Sequence, residues 1–352
     1  MDINALGVDL SALAHDEAVY PPVVPGRVVH IDADFLAYHV SYEKPDDPKT
    51  KEDMQHNAET AVEHLRKSAA AEKVELHLTP FTSNKGGRFE HAIQRVYQGN
   101  RTSDNKPRML HVMRQWLAQR YSGHLWEHCE ADDGMASAQY AAIRTGTENL
   151  SIIASKDKDL NMVPGLHLDW DTGEIISVDT FGWVELRRTQ SAGGSKSTKL
   201  VGYGQKWFWA QMLIGDTADN IQGLPKVVGP ILNAVDPTAA VEKALADMRE
   251  YPSGDRRHDK ARKVLDSRPP KACGPALAIK ILDRVHSNKV AFGAVRSLYE
   301  RYGDTVGFVS HEGHPVPWQK VFISEAKLLW MRRDTRDEND VLKWIGEVHE
   351  AD

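Results

Sequence analysis

Cysteine is nearly missing from this chain: Cys129 and Cys273 are the two in 352 residues. Neither has a CxxC or CxxH neighbourhood, so a zinc site is not expected. Their wide separation predicts reduced thiols in a cytoplasmic compartment. No apolar run approaches the roughly 20 residues that span a bilayer, which excludes a transmembrane helix and a membrane partner. The N-terminus lacks a basic stretch followed by an apolar one, so export is not expected. Net positive charge is missing too, with 44 Lys and Arg against 50 Asp and Glu. At first sight that argues against nucleic acid, but the distribution of charge matters more than its sum. What remains, 41% hydrophobic and 27% charged residues, is the composition of a soluble globular protein. The length suffices for one large α/β domain with appendages, or for two domains.

Positive charge gathers in three stretches. The first holds Lys85, Arg88, Arg95, Arg101, Lys106, Arg108, Arg114 and Arg120 against Glu90 and Asp104. The second, Arg187 to Lys206, contains no acid, and the third runs from Arg256 to Lys280. Any one of these reads most simply as a solvated face. Three of them beside clustered acids point to a polyanion.

Residues 1–26 read as a leader ended by Pro21, Pro22 and Pro25. Strands are predicted at Val28–Ile31, Val74–Leu78, His124–Glu127 and Ser151–Ala154, and helices over Asp53–Ala71, Gly134–Ile143 and Trp207–Ile214. Strands alternating with helices predict a parallel sheet built from βαβ units. Residues 82–108, with Gly86-Gly87 and many basic side chains, read as a mobile segment outside the core. Residues 189–205 read as a flexible Ser/Gly/Lys-rich loop. Arg256–Lys271 reads as an insertion after a helix around Ala239–Met248.

Four acidic motifs carry the chemistry. Asp32 and Asp34 follow the first strand, where open α/β sheets place ligands. Glu130, Asp132 and Asp133 open a helix, Asp157 and Asp159 follow the fourth strand, and Asp216 and Asp219 follow Trp207–Ile214. Each motif alone has a plain explanation as a helix cap or a dipole partner. Together they place more carboxylates than caps need, and such a cluster repels itself unless cations hold it. Oxygen donors without converging His or Cys select Mg²⁺ or Mn²⁺, and the number of acids implies two ions. Two such ions can activate water and stabilise a leaving phosphate oxygen.

In this order the motifs resemble the flap endonuclease/5′→3′ exonuclease family, most of all the 5′→3′ exonucleases of T-odd bacteriophages. Asp157-Lys158-Asp159-Leu160 and Gly215-Asp216-Thr217-Ala218-Asp219-Asn220-Ile221-Gln222-Gly223 carry the likeness. Tyr97-Gln98-Gly99-Asn100-Arg101, Pro107 and Thr172-Gly173-Glu174-Ile175 extend it. The resemblance implies an α/β PIN-like fold: a central, mostly parallel sheet flanked by helices, with a basic arch and a helix–turn–helix. Residues 27–214 would form the nuclease domain with the arch at 82–108, and 215–352 a helical C-terminal region. Asp32, Glu130 and Asp132 would hold one ion and Asp157, Asp159 and Asp216 the other, supported by Asp133 and Asp219. Tyr97 would stack on a base and Arg101 clamp the scissile phosphate. Gly223, Gly274 and Lys280 would grip duplex backbone in a helix–turn–helix with a monovalent cation such as K⁺. The favoured form of that motif is split, with Val228-Gly229-Pro230-Ile231 as a local alternative second half.

The implied activity is Mg²⁺-dependent 5′→3′ exonuclease and flap cleavage of DNA, in phage DNA replication within the host cytoplasm beside phage replication proteins. Two departures from the family pattern stand out. Thr79–Asn84 lacks the usual metal-site Asp, and Gln98 replaces an arch Lys, whose charge Lys85, Arg88 or Arg95 would supply. The first departure supports an alternative, a catalytically weakened DNA-binding replication accessory protein. An RNA-cleaving PIN toxin would be far shorter.

Overall fold

The computed structural model describes residues 20–44, 48–101, 106–190, 194, 196–226, 243, 246–265 and 273–350. The strands are β1 (Val24–Asp32), β2 (Ala71–Leu78), β3 (His124–Leu125), β4 (Ser151–Ala154), β5 (Gly165–Leu168), β6 (Ile175–Val178), β7 (Trp183–Gln190), β8 (Lys196–Tyr203), β9 (Phe308–Val309) and β10 (Pro315–Val316). The helices of two turns or more are α1 (Ala33–Ser41), α2 (Lys51–Ser68), α3 (Leu110–Arg120), α4 (Ala131–Arg144), α5 (Gln205–Ile214), α6 (Arg256–Leu265), α7 (Pro275–Leu282), α8 (Asn288–Thr305), α9 (Trp318–Leu329) and α10 (Asp340–Glu350).

The expected architecture is present: a mostly parallel sheet flanked by helices. Its order is β3-β2-β1-β4-β5-β6, with β6 antiparallel to β5 and the other pairings parallel. The central strands are buried on both faces, which is why Ser151–Ala154 and Val28–Ile31 read as apolar runs rather than alternating ones. One core layer joins the sheet to α1, α2 and α3 through Leu36, Met54, Leu65, Met113 and Leu117. The other lies beneath α4, α5 and the C-terminal helices, around Met135, Trp207, Phe208, Tyr299 and Trp330. Among the described residues no helix is long and apolar enough to cross a membrane.

The chain runs outward from β1 to β2 and β3, then returns to lay β4 against the opposite side of β1. The strand order therefore reverses between β1 and β4, and a crevice opens at the carboxyl ends of those two strands. Asp32 ends β1, and Ser155 to Asp157 follow β4 at that point.

Three expectations are corrected. Residues 189–205 are no flexible loop: β7 and β8 pair as an antiparallel hairpin from Trp183↔Tyr203 to Gln190↔Lys196. Ladder hydrogen bonding overrides the Ser/Gly composition, and residues 191–193 and 195 lie outside the described residues. The leader ends earlier than expected, because β1 begins at Val24 and pairs with Ala71 before a bulge. Pro25 is accommodated in that irregular stretch, and residues 1–19 lie outside the description. Residues 82–101 are not peripheral, since Arg88, Ala92 and Tyr97 are buried in the core. They form a 3-10 turn at Lys85–Gly87 and one helical turn at Arg88–His91, with 102–105 outside the description. Most of the helix expected around Ala239–Met248, and Val228–Ile231, also fall outside it.

The loop after α5 is closed by backbone. Asp216 and Ile221 exchange both hydrogen bonds, at 2.9 and 2.7 Å. Gly215 has φ +68 and ψ −171, a region essentially reserved for glycine, and a Cβ there would collide with the carbonyl oxygens of Ile221 and Gln222. Gly215→Ala is therefore expected to destabilise the fold by about 3 kcal/mol, read as a lower denaturant midpoint in chemical unfolding.

Candidate metal centre

Asp32 caps α1: its Oδ1 accepts from Phe35 N at 2.9 Å, and its Oδ2 accepts from Ser155 Oγ at 3.0 Å. The second bond ties the end of β1 to the segment after β4. Ser155 Oγ also accepts from Asp157 N at 2.9 Å, which sets the turn presenting Asp157. Burial, then the neighbouring Asp34, pushes the Asp32 carboxyl up to about 7.

At the start of α4, Glu130 and Asp133 form a capping box. Asp133 is fully buried and takes a two-pronged bond from Arg88, with Nη1 at 2.7 Å and Nη2 at 2.9 Å. Burial opposes the charge, yet Arg88 outweighs it and holds Asp133 below the usual carboxylate range. Glu130 lies 3.1 Å from Arg88 Nη1 and 3.5 Å from Lys85 Nζ, and accepts from the Tyr97 hydroxyl at 2.9 Å. Between them Asp132 lines the cleft, and among the described residues it has neither a hydrogen-bond nor an ion-pair partner. Burial and the nearby Asp157 and Asp32 push its carboxyl well up.

The segment after β4 and the loop after α5 meet around Lys158. Its Nζ lies 2.7 Å from Asp216 Oδ1 and 3.1 Å from Asp159 Oδ1. Gln211 Nε2, from α5, donates to the same Asp159 oxygen at 2.5 Å. Asp159, Asp216 and Asp219 each offer an oxygen within 4.8 Å of the others, a spacing at which they could share a metal ion. Asp219 accepts from the Tyr97 hydroxyl at 2.9 Å and from Gln98 Nε2 at 3.0 Å, and pairs with Arg101.

A cleft of about 890 Å³ opens over this edge, lined by Asp32, Asp34, Glu130, Asp132, Asp157 and Asp219. Lys85, Arg101, Lys106, Arg114 and Lys156 line it too, as do Phe35, Tyr38, Phe81 and Phe89. At the start of Thr79–Asn84, the segment that lacks the expected Asp, Thr79 builds structure. Its Oγ1 accepts from Ala131 N at 2.9 Å, and its own N–H donates to Asp34 Oδ2 at 3.0 Å. Asp34 also receives Arg114 Nη2 at 2.6 Å, and Arg114 reaches the Thr79 carbonyl.

Several sequence-based assignments change here. Tyr97 is 2% exposed, so it does not stack on a base; its hydroxyl bridges Glu130 and Asp219. Exposed rings do line the cleft, with Phe81 at 65% exposure and Phe89 beside Lys85. Arg88 is 1% exposed and donates to the carbonyls of Leu328 and Trp330, so it is no free arch cation. Lys85 is in the cleft, with Nζ donating to Gln98 Oε1 at 2.5 Å. Arg95 is half-buried outside the cleft lining. Gly223 does not offer its amide to a backbone phosphate, because that N–H donates to buried Glu325 at 2.8 Å. Gly274 and Lys280 are exposed, as N-cap and last turn of α7. Cys273 N donates to the Leu224 carbonyl at 2.7 Å, which joins the chain on either side of residues 225–272.

Asp34 and Arg114 were missed as site residues. Asp34 stood inside the first acidic motif, but nothing in the sequence tied it to an arginine 80 positions away. The Phe81 and Phe89 signal, aromatics amid basic residues, was visible and went to Tyr97 instead.

The donor set suits a hard divalent ion: carboxylate oxygens with no imidazole among the cleft-lining residues. The Lys158 ammonium lies between Asp159 and Asp216, so those acids accommodate positive charge there.

No protein-family model matches the chain, and no curated protein matches it either. Among solved structures it is similar to the flap endonuclease of bacteriophage T5, crystallised as a pseudo-enzyme–product complex with DNA and metal ions. The identity is 14%, over 78% of this chain and 98% of that one, with a TM-score of 0.37. At that score the likeness carries no argument.

The raised Asp32 carboxyl fixes a pH dependence. An acid raised in the folded chain keeps its proton to higher pH folded than unfolded. The stability it confers is full below its ordinary value of 3.8 and is lost as pH rises through about 7. In chelator, Asp32→Asn is therefore expected to be more stable than wild type at pH 8 by roughly 2–4 kcal/mol. The difference should shrink toward pH 4, as urea unfolding across that range would measure.

Proposed function

We propose that this protein is a Mg²⁺- or Mn²⁺-dependent 5′→3′ exodeoxyribonuclease that also cleaves flaps, acting through two ions on DNA with 5′ ends. One observation carries the reading: Asp32, Asp132 and Asp157 share the cleft at the strand-order reversal with no cation paired to them among the described residues. Like charges that line one cleft and raise one another's proton affinity favour a bound cation over three protons. Asp159, Asp216 and Asp219 form the adjoining set. Glu130 and Asp133 are then positioning acids, held by Arg88 and Lys85.

When bound, the ions would lower the pKa of a water and neutralise charge on the leaving oxygen. The chain's own residues do the rest. Arg101, half-exposed at the rim, offers a planar fork to a phosphate. Phe81 and Phe89 offer faces on which unpaired bases stack, worth roughly 1–3 kcal/mol per base. Lys85, Lys106 and Lys156 line the same cleft and give the backbone a positive path. The Cys273–Leu224 hydrogen bond supports a split helix–turn–helix, in which the α7 N-terminus and Lys280 would meet duplex phosphate, with K⁺ as the accompanying cation. A role in phage DNA replication, in the host cytoplasm beside replication proteins, extends this reading through the family resemblance.

The catalytically weakened accessory protein has one observation in its favour. Lys158 and Arg101 already neutralise acids of the second set, and the Thr79–Asn84 segment is neutral where an acid was expected, around Thr82–Asn84. Asp157→Ala separates the two readings. The nuclease reading expects Mg²⁺-dependent release of 5′-labelled product by the wild type, a loss of at least about a thousandfold in the variant, and unchanged DNA affinity in a gel-shift. Wild-type protein that binds flap DNA without cutting it at any Mg²⁺ concentration supports the accessory reading instead.

A further inference from the structure

Below the carboxylate cleft, the same sheet carries a second cluster that phosphodiester cleavage does not use. In the parallel register His30 lies beside Glu75, and His77 beside His124. Alternate residues of a strand share a face, so His30 of β1, Glu75 and His77 of β2, and His124 of β3 stand on one side of three adjacent strands. His30 Nδ1 is 3.1 Å from His77 Nε2 and 3.4 Å from Glu75 Oε2. The same Glu75 oxygen is 3.4 Å from His124 Nε2. Four ligands held tetrahedrally at 2.0–2.1 Å from a zinc ion stand about 3.3–3.4 Å apart. Three of the six separations among these side chains match that spacing, and His30, Glu75 and His77 offer ligand atoms that all lie within 4.8 Å of one another, with His124 approaching through Glu75.

We propose that His30, Glu75, His77 and His124 bind a zinc-class divalent cation, at a site distinct from the cleft. Imidazole donors select zinc-class ions over Mg²⁺. His30 and His77 are buried, Glu75 is half-buried and His124 is exposed, so the site is closed on its inner side and open to an entering ion. Burial, with His30 and His124 nearby, holds His77 well below the usual histidine range, and a neutral ring is what ligation requires. The ion would clamp β3, a two-residue edge strand, to β1 and β2. The chain leaving β3 leads through Trp126 to Glu130 and Asp132, so the clamp would steady the approach to the cleft.

Trp126 sets the strength of this site. Its Nε1–H, which can only donate, lies 3.0 Å from His77 Nδ1. Without an ion, that contact assigns the His77 proton to Nε2, which donates to His30 Nδ1. Ligation through Nε2 moves the ring proton to Nδ1 and ends the Trp126 hydrogen bond. A ligating histidine ordinarily has an acceptor at its second nitrogen. Here it faces a donor, so Trp126 opposes binding.

The test uses untagged, chelator-treated full-length protein titrated with Co²⁺ and followed by visible absorption. One equivalent is expected to give the intense bands of a four-coordinate ion, displaced by Zn²⁺. Glu75→Ala, at a half-buried position, and His124→Ala, at an exposed one, should lose the bands while keeping a wild-type circular dichroism spectrum. Asp157→Ala should retain them, which keeps this outcome separate from that of the nuclease reading. Trp126→Phe should tighten Co²⁺ half-saturation by about tenfold. The proposal is overturned by weak six-coordinate bands, by bands that survive both Glu75→Ala and His124→Ala, or by their loss in Asp157→Ala. Unchanged affinity in Trp126→Phe would remove His77 from the ligand set.

Discussion

Mutual repulsion among carboxylates packed at one sheet edge is the constraint that the neighbouring architecture answers. Asp32, Asp34, Glu130, Asp132, Asp133, Asp157, Asp159, Asp216 and Asp219 arrive from separate segments, and buried like charges oppose folding unless each is protonated or paired. The chain supplies cations at fixed places. Arg88 lies inside the core under Glu130 and Asp133, Lys158 between Asp159 and Asp216, Arg101 on Asp219, and Arg114 on Asp34. Tyr97 adds a neutral bridge from Glu130 to Asp219. What is left without a paired cation among the described residues is Asp32, Asp132 and Asp157, the three acids on which the proposed chemistry rests.

This division explains why residues 82–101 are core rather than a detached arch. Arg88 balances the buried Asp133 only if its own backbone turn is anchored, and the carbonyls of Leu328 and Trp330 anchor its guanidinium. Gln98 N then reaches the Asp219 carbonyl at 2.8 Å, and Asn220 Nδ2 reaches the Val96 carbonyl at 2.9 Å. The basic segment and the Asp216–Asp219 loop are thereby locked together. A basic stretch in sequence was in this case partly an internal counter-charge.

The sheet was legible because its strands are short apolar runs, and the acids were legible because they follow those runs directly. The parallel sheet followed from the βαβ pattern, whereas the reversal of strand order that brings Asp32 near Asp157 had no sequence signal. Less could be read where pairing is long-range. Arg88 and Arg95 look alike in sequence, yet one is fully buried against an acid 45 residues away and the other is half-buried. Tyr97 sat among basic residues like a base-stacking ring, and only tertiary packing turned its hydroxyl inward. The β7–β8 hairpin was hidden by a Ser/Gly composition that ladder hydrogen bonds override. His30, His77 and His124 are spaced 47 residues apart, a separation with no local pattern, and the parallel register alone makes them neighbours.

The central claim is that the unpaired acids are a cation site and Lys158 a placeholder in the adjoining one. Crystals soaked in Mn²⁺ and measured at the manganese edge test it most directly. The account predicts anomalous density between Asp32, Asp132 and Asp157, and a second peak beside Asp159 and Asp216 with Lys158 withdrawn from both. Saturated crystals with no density in the cleft, and Lys158 still bridging Asp159 and Asp216, would contradict it.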